Sequence, residues 1–299
     1  MKSYVAIDIG GTKMKYGLLS EQGKLLQSAE RDTEAVPGGG PHILTLVKGI
    51  IEGYLREQEL LGICLSSAGM VDIERGEIFA SRPQIPNYVG TAFKRELEEC
   101  FGIPCEIEND VNCAGLSEGL LGAGRGAESS LCLTVGTGIG GCFVKDQEVY
   151  HGSSYSACEV GYLHLPGGLF EELASTSALC RRVEERKGEP GKWDGRRIFG
   201  QAKAGDTVCR EEIAALCDYL GMGIANLCYV LNPERVILGG GIMQQRDYLY
   251  PLLRTSLDRY LVPALSEKTE LRFAENGNHA GMLGAFCHFA AMQRKRELK

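Results

Sequence analysis

Two stretches decide the fold: Asp8-Ile9-Gly10-Gly11-Thr12-Lys13 and Val135-Gly136-Thr137-Gly138-Ile139-Gly140-Gly141. Each is a glycine-rich turn between two apolar, β-branched runs. Residues 4–9 precede the first turn and 15–20 follow it; residues 130–135 and 142–145 flank the second. Such runs read as strands, so the pattern strand, glycine turn, strand occurs twice. Glycines let backbone N–H groups approach an anion closely, and Thr12 and Lys13 add donors. The first turn lacks the GxxxxGK[ST] spacing of the phosphate loop. The second also fits GxGxxG, but the segment after it, Cys142-Phe143-Val144, reads as extended and not as the helix of a dinucleotide-binding turn. A pair of phosphate-facing hairpins accounts for both.

Outward from these turns, strands alternate with helices. Residues 24–29 continue the first hairpin, and a polar, glycine-rich stretch at 37–41 precedes an amphipathic helix over 43–58. A strand at 61–66, a helix at 91–101, a strand at 105–108 and a helix at 111–121 follow. After the second hairpin come a helical region at 171–187, a long helix at 211–231, a strand at 235–238, the turn Gly239-Gly240-Gly241 and a last helix at 280–296. This is an α/β chain. The repeated plan predicts two lobes, 1–112 with the last helix 281–299 returning to it, and 113–280, with a nucleotide in the cleft between them.

Composition sets outer bounds. The chain has 299 residues, 32 Lys+Arg against 39 Asp+Glu, and a formal charge of −7. That length is enough for two cores. The acidic balance argues against nucleic-acid binding, which needs a basic footprint. No apolar run has the length of a signal peptide or a membrane span, which predicts a cytoplasmic protein. The 12 cysteines form no CxxC pair and most sit among apolar neighbours, as reduced, buried side chains do.

A third motif, Glu108-Asn109-Asp110-Val111-Asn112, crowds polar side chains at the end of a strand and the start of a helix. It reads either as a helix cap, with Asn109 or Asp110 accepting first-turn N–H groups, or as a ligand clamp with Asp110 as a general base.

Taken in order, these motifs resemble the ROK family of sugar kinases and regulators, which has the actin-like ATPase (ribonuclease H-like) fold. The likeness also includes Ala68-Gly69-Met70-Val71-Asp72, Glu159-Val160-Gly161, Ala174-Ser175 and Leu238–Gly241, and so spans essentially the whole chain. The resemblance implies an ATP-dependent kinase that phosphorylates a sugar 6-hydroxyl. It makes Asp110 the catalytic base and gives Asn109, Glu159, Glu171 and Gly69 to the sugar. Asp8, Gly10, Gly11, Thr12, Lys13, Gly136, Thr137, Gly138, Gly140 and Gly240 fall to the nucleotide. Asp8 would orient the Mg²⁺ of Mg-ATP through water. A homodimer, with no nucleic-acid or membrane partner, is the family-level expectation.

Two departures narrow the acceptor. Where the family has ExGH, this chain reads Glu159-Val160-Gly161-Tyr162, and no cysteine lies in Leu165-Pro166-Gly167-Gly168-Leu169-Phe170. His164 alone, without thiolates, is a poor structural zinc ligand, so no structural zinc is expected. This zinc-less form resembles the β-glucoside kinase branch, so a β-glucoside or glucose is the expected acceptor, with N-acetylmannosamine or fructose as alternatives. Other classes are a transcriptional regulator, for which a strand beginning at Tyr4 leaves no room for a preceding helix-turn-helix, and a sugar sensor without turnover. Trp193 reads as a packed residue, and Arg294-Lys295-Arg296 as a solvated helix end.

Overall fold

A computed structural model of the chain describes residues 2–36, 38–81 and 85–298. Pro37, the first residue of the glycine-rich stretch at 37–41, lies outside the described residues. The chain forms two compact units, Met1–Glu118 with Glu148–Ala157 and Asn278–Lys299, and Gly119–Gln147 with Cys158–Gly277.

The first unit is built on a five-stranded sheet ordered Leu25–Asp32, Lys13–Leu19, Ser3–Ile9, Leu60–Ser67, Cys105–Asn109. The first three strands pair antiparallel as a meander, and the last three are parallel. Val5, Ala6, Ile7 and Ile9 are all fully buried, so both faces of the central strand are covered. Strand alternation assigns the faces. Val5, Ile7, Ile9, Ile63, Leu65 and Ile107 pack with Ile43, Val47 and Ile51 of the helix Gly39–Leu55. Ala6 and Cys64 point the other way, onto Met282, Ala285 and Phe289 of the helix Ala280–Glu297. The even-numbered residues Asp8, Ser66, Glu106 and Glu108 therefore face that last helix.

The second unit repeats the plan. Ser129–Val135 pairs antiparallel with Ile139–Lys145 and parallel with Arg235–Gly239, which pairs parallel with Glu270–Phe273. Leu131, Leu133 and Val135 are covered by Leu216, Leu220 and Ile224 of the helix Thr207–Leu231 and by Phe170, Leu179, Ile198 and Leu253. That helix is long and apolar enough to cross a membrane, but more than half of its apolar stretch is buried inside the protein, as in a core helix.

Several boundaries differ from the sequence reading. The first helix begins at Gly39 and stops at Leu55. The region 171–187 is two helices, Phe170–Ala174 and Thr176–Lys187, because Ser175 is extended and its hydroxyl accepts from the Ala178 N–H at 3.1 Å. The long helix starts at Thr207, where the Asp206 carboxylate caps the Cys209 N–H at 2.9 Å. Gly195–Lys203, Arg246–Tyr260 and the strand Glu270–Phe273 had no place in that reading. None of the twelve cysteines is in a disulfide, and most are buried.

Candidate active site

In the first unit the parallel register aligns two rows at the carboxyl ends of the strands. Asp8, Ser66 and Glu108 form one row; Ile9, Ser67 and Asn109 form the next. The carboxyl end of parallel strands is where ligands bind in open α/β sheets. Asp8 is held from two sides. Ser66 Oγ donates to its Oδ1 at 2.6 Å. A Cβ on Gly281, in the first turn of Ala280–Glu297, would stand 2.4 Å from its Cγ and 2.5 and 2.6 Å from its oxygens. Burial pushes the Asp8 carboxyl above the ordinary carboxylate value, opposed by the Ser66 hydrogen bond and the Lys15 charge. A desolvated, oriented carboxylate suits a hydrated divalent cation.

The turn after Asp8 is fixed by its neighbours. The Gly10 N–H donates to Lys13 O at 3.0 Å, Thr33 Oγ1 donates to Gly10 O at 2.7 Å, and the Thr33 N–H donates to Thr12 O at 2.9 Å. Gly11, Thr12 and Lys13 are exposed, and the Lys13 ammonium lies 3.0 Å from Asp32 and 3.8 Å from Glu30.

On the second row, Asn109 ends its strand and caps the helix Asp110–Leu121. Its Oδ1 accepts from the N–H groups of Val111 at 2.9 Å and Asn112 at 3.0 Å. Its Nδ2 donates to Gly69 O at 2.8 Å and to Asp110 Oδ1 at 3.1 Å. The sequence left the cap open between Asn109 and Asp110, and both accept the Val111 N–H, Asp110 Oδ1 also at 2.9 Å. Ser67, in the same row, shares a 2.6 Å hydrogen bond with the buried hydroxyl of Tyr88. Neither residue was a candidate from sequence, because no local motif marks a serine inside an apolar strand.

In the second unit the hairpin 136–141 is tied to sugar-side candidates. The Gly136 N–H donates to Gly138 O at 3.0 Å, and Gly136 O accepts from the Thr176 N–H at 2.8 Å. Glu171 Oε2 accepts from the Ile139 N–H at 3.4 Å and lies 3.0 Å from where a Gly161 Cβ would be. Glu159 is exposed and precedes the short helix Val160–Tyr162. Thr137 is exposed, and Gly138 and Gly140 are half-buried. Gly240 has φ +111°, and a Cβ there would meet Val135 O at 2.1 Å, so the turn Gly239–Gly241 backs onto the root of the hairpin. Trp193 is packed: Arg197 lies 4.1 Å over its ring and its Nε1 donates to Glu189 at 2.9 Å.

His164 is exposed, in a two-residue strand paired with Gly168–Leu169. Among the described residues no group of three or more His, Cys, Asp or Glu could hold a metal ion. Purified protein is expected to contain no stoichiometric zinc by metal analysis and to keep its melting temperature in chelator. Near one zinc per chain surviving dialysis would refute this.

A model of the ROK family matches residues 4–291. The β-glucoside kinase of Klebsiella pneumoniae is 30% identical over 298 residues, covering 97% of this chain and 96% of that one. The solved ROK hexokinase of Thermus thermophilus is 33% identical with a TM-score of 0.82, covering 98% of this chain and 99% of that one. A ROK family glucokinase of Streptomyces griseus, solved with glucose and AMPPNP, is 26% identical with a TM-score of 0.80, covering 95% and 97%.

Proposed function

The chain belongs to the ROK family and is an ATP-dependent carbohydrate kinase with the two-lobed actin-like ATPase fold, and from that premise we propose that it phosphorylates the 6-hydroxyl of a β-glucoside or of glucose, with Asp110 as general base. The observation that carries the catalytic half is the corner around Asn109. One amide binds Gly69 O and Asp110 Oδ1 while its oxygen caps the helix, so the Asp110 carboxylate has a fixed place at the carboxyl end of the sheet. Asp110 takes the proton as the acceptor oxygen bonds to the γ-phosphorus. The bond from that phosphorus to the bridging oxygen breaks, and ADP leaves with the electron pair.

Asp8 would orient, through water, the Mg²⁺ that accompanies ATP, and the ion would supply compensation for the phosphate charge. The exposed turn Gly11–Lys13 and the hairpin residues Thr137, Gly138 and Gly140 bind phosphate through backbone N–H groups, Gly136, whose N–H is held by Gly138 O, shapes that hairpin, and Gly240 lies beside the adenosine.

Two observations support the acceptor: the missing thiolates at 165–170, and a β-glucoside kinase among the relatives at 30% identity. ADP release with cellobiose, another β-glucoside and free glucose tests it. Much faster release with glucose than with either β-glucoside replaces the β-glucoside reading with glucokinase.

Glu159 and Glu171 hold adjacent sugar hydroxyls as paired acceptors. A buried hydroxyl left unpaired costs about 1–3 kcal/mol, so Glu159→Ala is expected to raise the sugar KM about 10- to 100-fold, since each ~1.4 kcal/mol is tenfold. The nucleotide KM should stay near wild type. An unchanged sugar KM would remove Glu159 from the sugar site.

A further inference from the structure

Glu108 is a buried carboxylate, 1% exposed, one residue before the Asn109-Asp110 pair. Its two oxygens do different things. Oε1 accepts from the Asn109 N–H at 2.7 Å and from Asn112 Nδ2 at 3.1 Å. Oε2 faces His151 Nε2 at 2.5 Å and His288 Nδ1 at 3.5 Å. Oε1 thus holds the turn that presents Asp110, and Oε2 is held by imidazoles from two distant parts of the chain.

A buried carboxylate without a partner costs several kcal/mol, so the balancing group matters. His288 is not that group. Burial, helped by the charges of His151, Lys94 and Lys295 and opposed by Glu108, lowers its pKa to about 4, so it is neutral at pH 7. Its Nε2 is buried without a hydrogen-bond partner, which fits a neutral ring carrying its proton on Nδ1. That leaves His151. Burial works against the Glu108 charge, but the hydrogen bonds it accepts, first that from His151 and then that from Asn112, help to outweigh burial and hold the carboxyl below its ordinary range. An ionised Glu108 can only accept, so His151 Nε2 is the donor.

We propose that His151 is a positioning residue for phosphoryl transfer: by donating to Glu108 Oε2 it fixes the carboxylate whose other oxygen sets the Asn109–Asn112 turn, and through that turn the place of Asp110. The chain of bonds is continuous. His151 donates to Glu108, Glu108 accepts from the Asn109 backbone, and Asn109 Nδ2 donates to Asp110. Without His151 the carboxylate rotates toward water and withdraws Oε1 from the turn. His151 lies on the segment Glu148–Ala157, with Tyr155 edge-on to its ring at 6.3 Å.

Glu106 supplies the internal contrast. It is buried on the same face two residues earlier, and Lys94, Gln293 and Arg296 balance it. Those partners lie on the helices Phe93–Phe101 and Ala280–Glu297 and not on the turn Asn109–Asn112. Loss of a partner there disturbs stability and leaves the catalytic corner in place.

The inference rests on the reading of Asp110 as the base, and the test separates the two. His151→Leu, His151→Gln, Arg296→Leu and Asp110→Asn are compared by kcat, by KM for sugar and for ATP, and by melting temperature. His151→Leu is expected to lower kcat about tenfold or more with both KM values within about threefold, because a small misplacement of a reacting group is costly. His151→Gln keeps an N–H donor and recovers most of the lost kcat. Arg296→Leu lowers the melting temperature but leaves kcat near wild type. If His151→Leu does not fold, the double variant Glu108→Gln/His151→Leu, which has no buried charge to strand, takes its place with the same expected loss. Wild-type kcat in the leucine variant, or a glutamine variant no better than leucine, overturns the inference. When that happens beside an inactive Asp110→Asn, the base reading stands; turnover retained by Asp110→Asn overturns the base reading itself.

Discussion

Asp110→Asn is expected to keep the fold and the sugar affinity while losing about 10²- to 10⁴-fold in turnover, the range general-base catalysis contributes. The substitution is well matched to the site. An asparagine Oδ1 can still accept from Asn109 Nδ2 and from the Val111 N–H, as the aspartate does at 3.1 and 2.9 Å. What it cannot do is take a proton at neutral pH. The helix does not depend on Asp110 for its cap, because Asn109 Oδ1 accepts the same Val111 N–H at 2.9 Å and the Asn112 N–H at 3.0 Å. The melting temperature should therefore barely move. ADP release measures the turnover, and calorimetry with the sugar measures the affinity. Turnover within about threefold of wild type, far inside the range expected of a lost base, would leave Asp110 as a second helix cap and nothing more.

The sequence carried the two hairpins, the order of strands and helices, and the polar cluster at 108–112, because each is local. A glycine turn between β-branched runs announces itself within a dozen residues, and a 25-residue helix such as Thr207–Leu231 shows its apolar face in its own period. Pairings between distant segments left no such trace. Nothing around His151 says that its ring meets Glu108, 43 residues earlier. Ser66 looks like any small residue in a strand until the parallel register sets it beside Asp8. The short helix Gly195–Lys203, rich in Gly and Arg, has too few apolar residues to display a period, yet Ile198, Phe199 and Ala202 are buried. The last helix read as apolar at first and charged at its end, which is correct locally. Its glycines, however, take their meaning from what they touch across the fold.

Gly281 is the sharpest case, and Gly281→Ala is expected to lower kcat about 10²-fold, the cost of roughly 1 Å of misplacement at a reacting site. The added methyl would sit within 2.6 Å of three Asp8 carboxylate atoms, closer than real side chains approach. Something must yield, and the alternatives to the carboxylate are poor. The strand Ser3–Ile9 is paired on both sides, with Lys13–Leu19 and with Leu60–Ser67. The helix cannot easily back away by sliding, because Gly284, one turn on, is already pressed to the backbone, its Cβ position 1.8 Å from Cys113 O. The Asp8 side chain is then the part that moves, giving up Ser66 and the orientation proposed for it toward Mg-ATP. Sugar binding assigned to Glu159 and Glu171 should be untouched, so the sugar KM stays near wild type while kcat falls. A double-mutant cycle isolates the cause. In an Asp8→Ala background the carboxylate is gone and the methyl has room, so adding Gly281→Ala should cost no further activity and little stability. Equal losses from Gly281→Ala in both backgrounds, or wild-type kcat in the single variant, would mean that the helix gives way instead and that Asp8 keeps its place without the glycine.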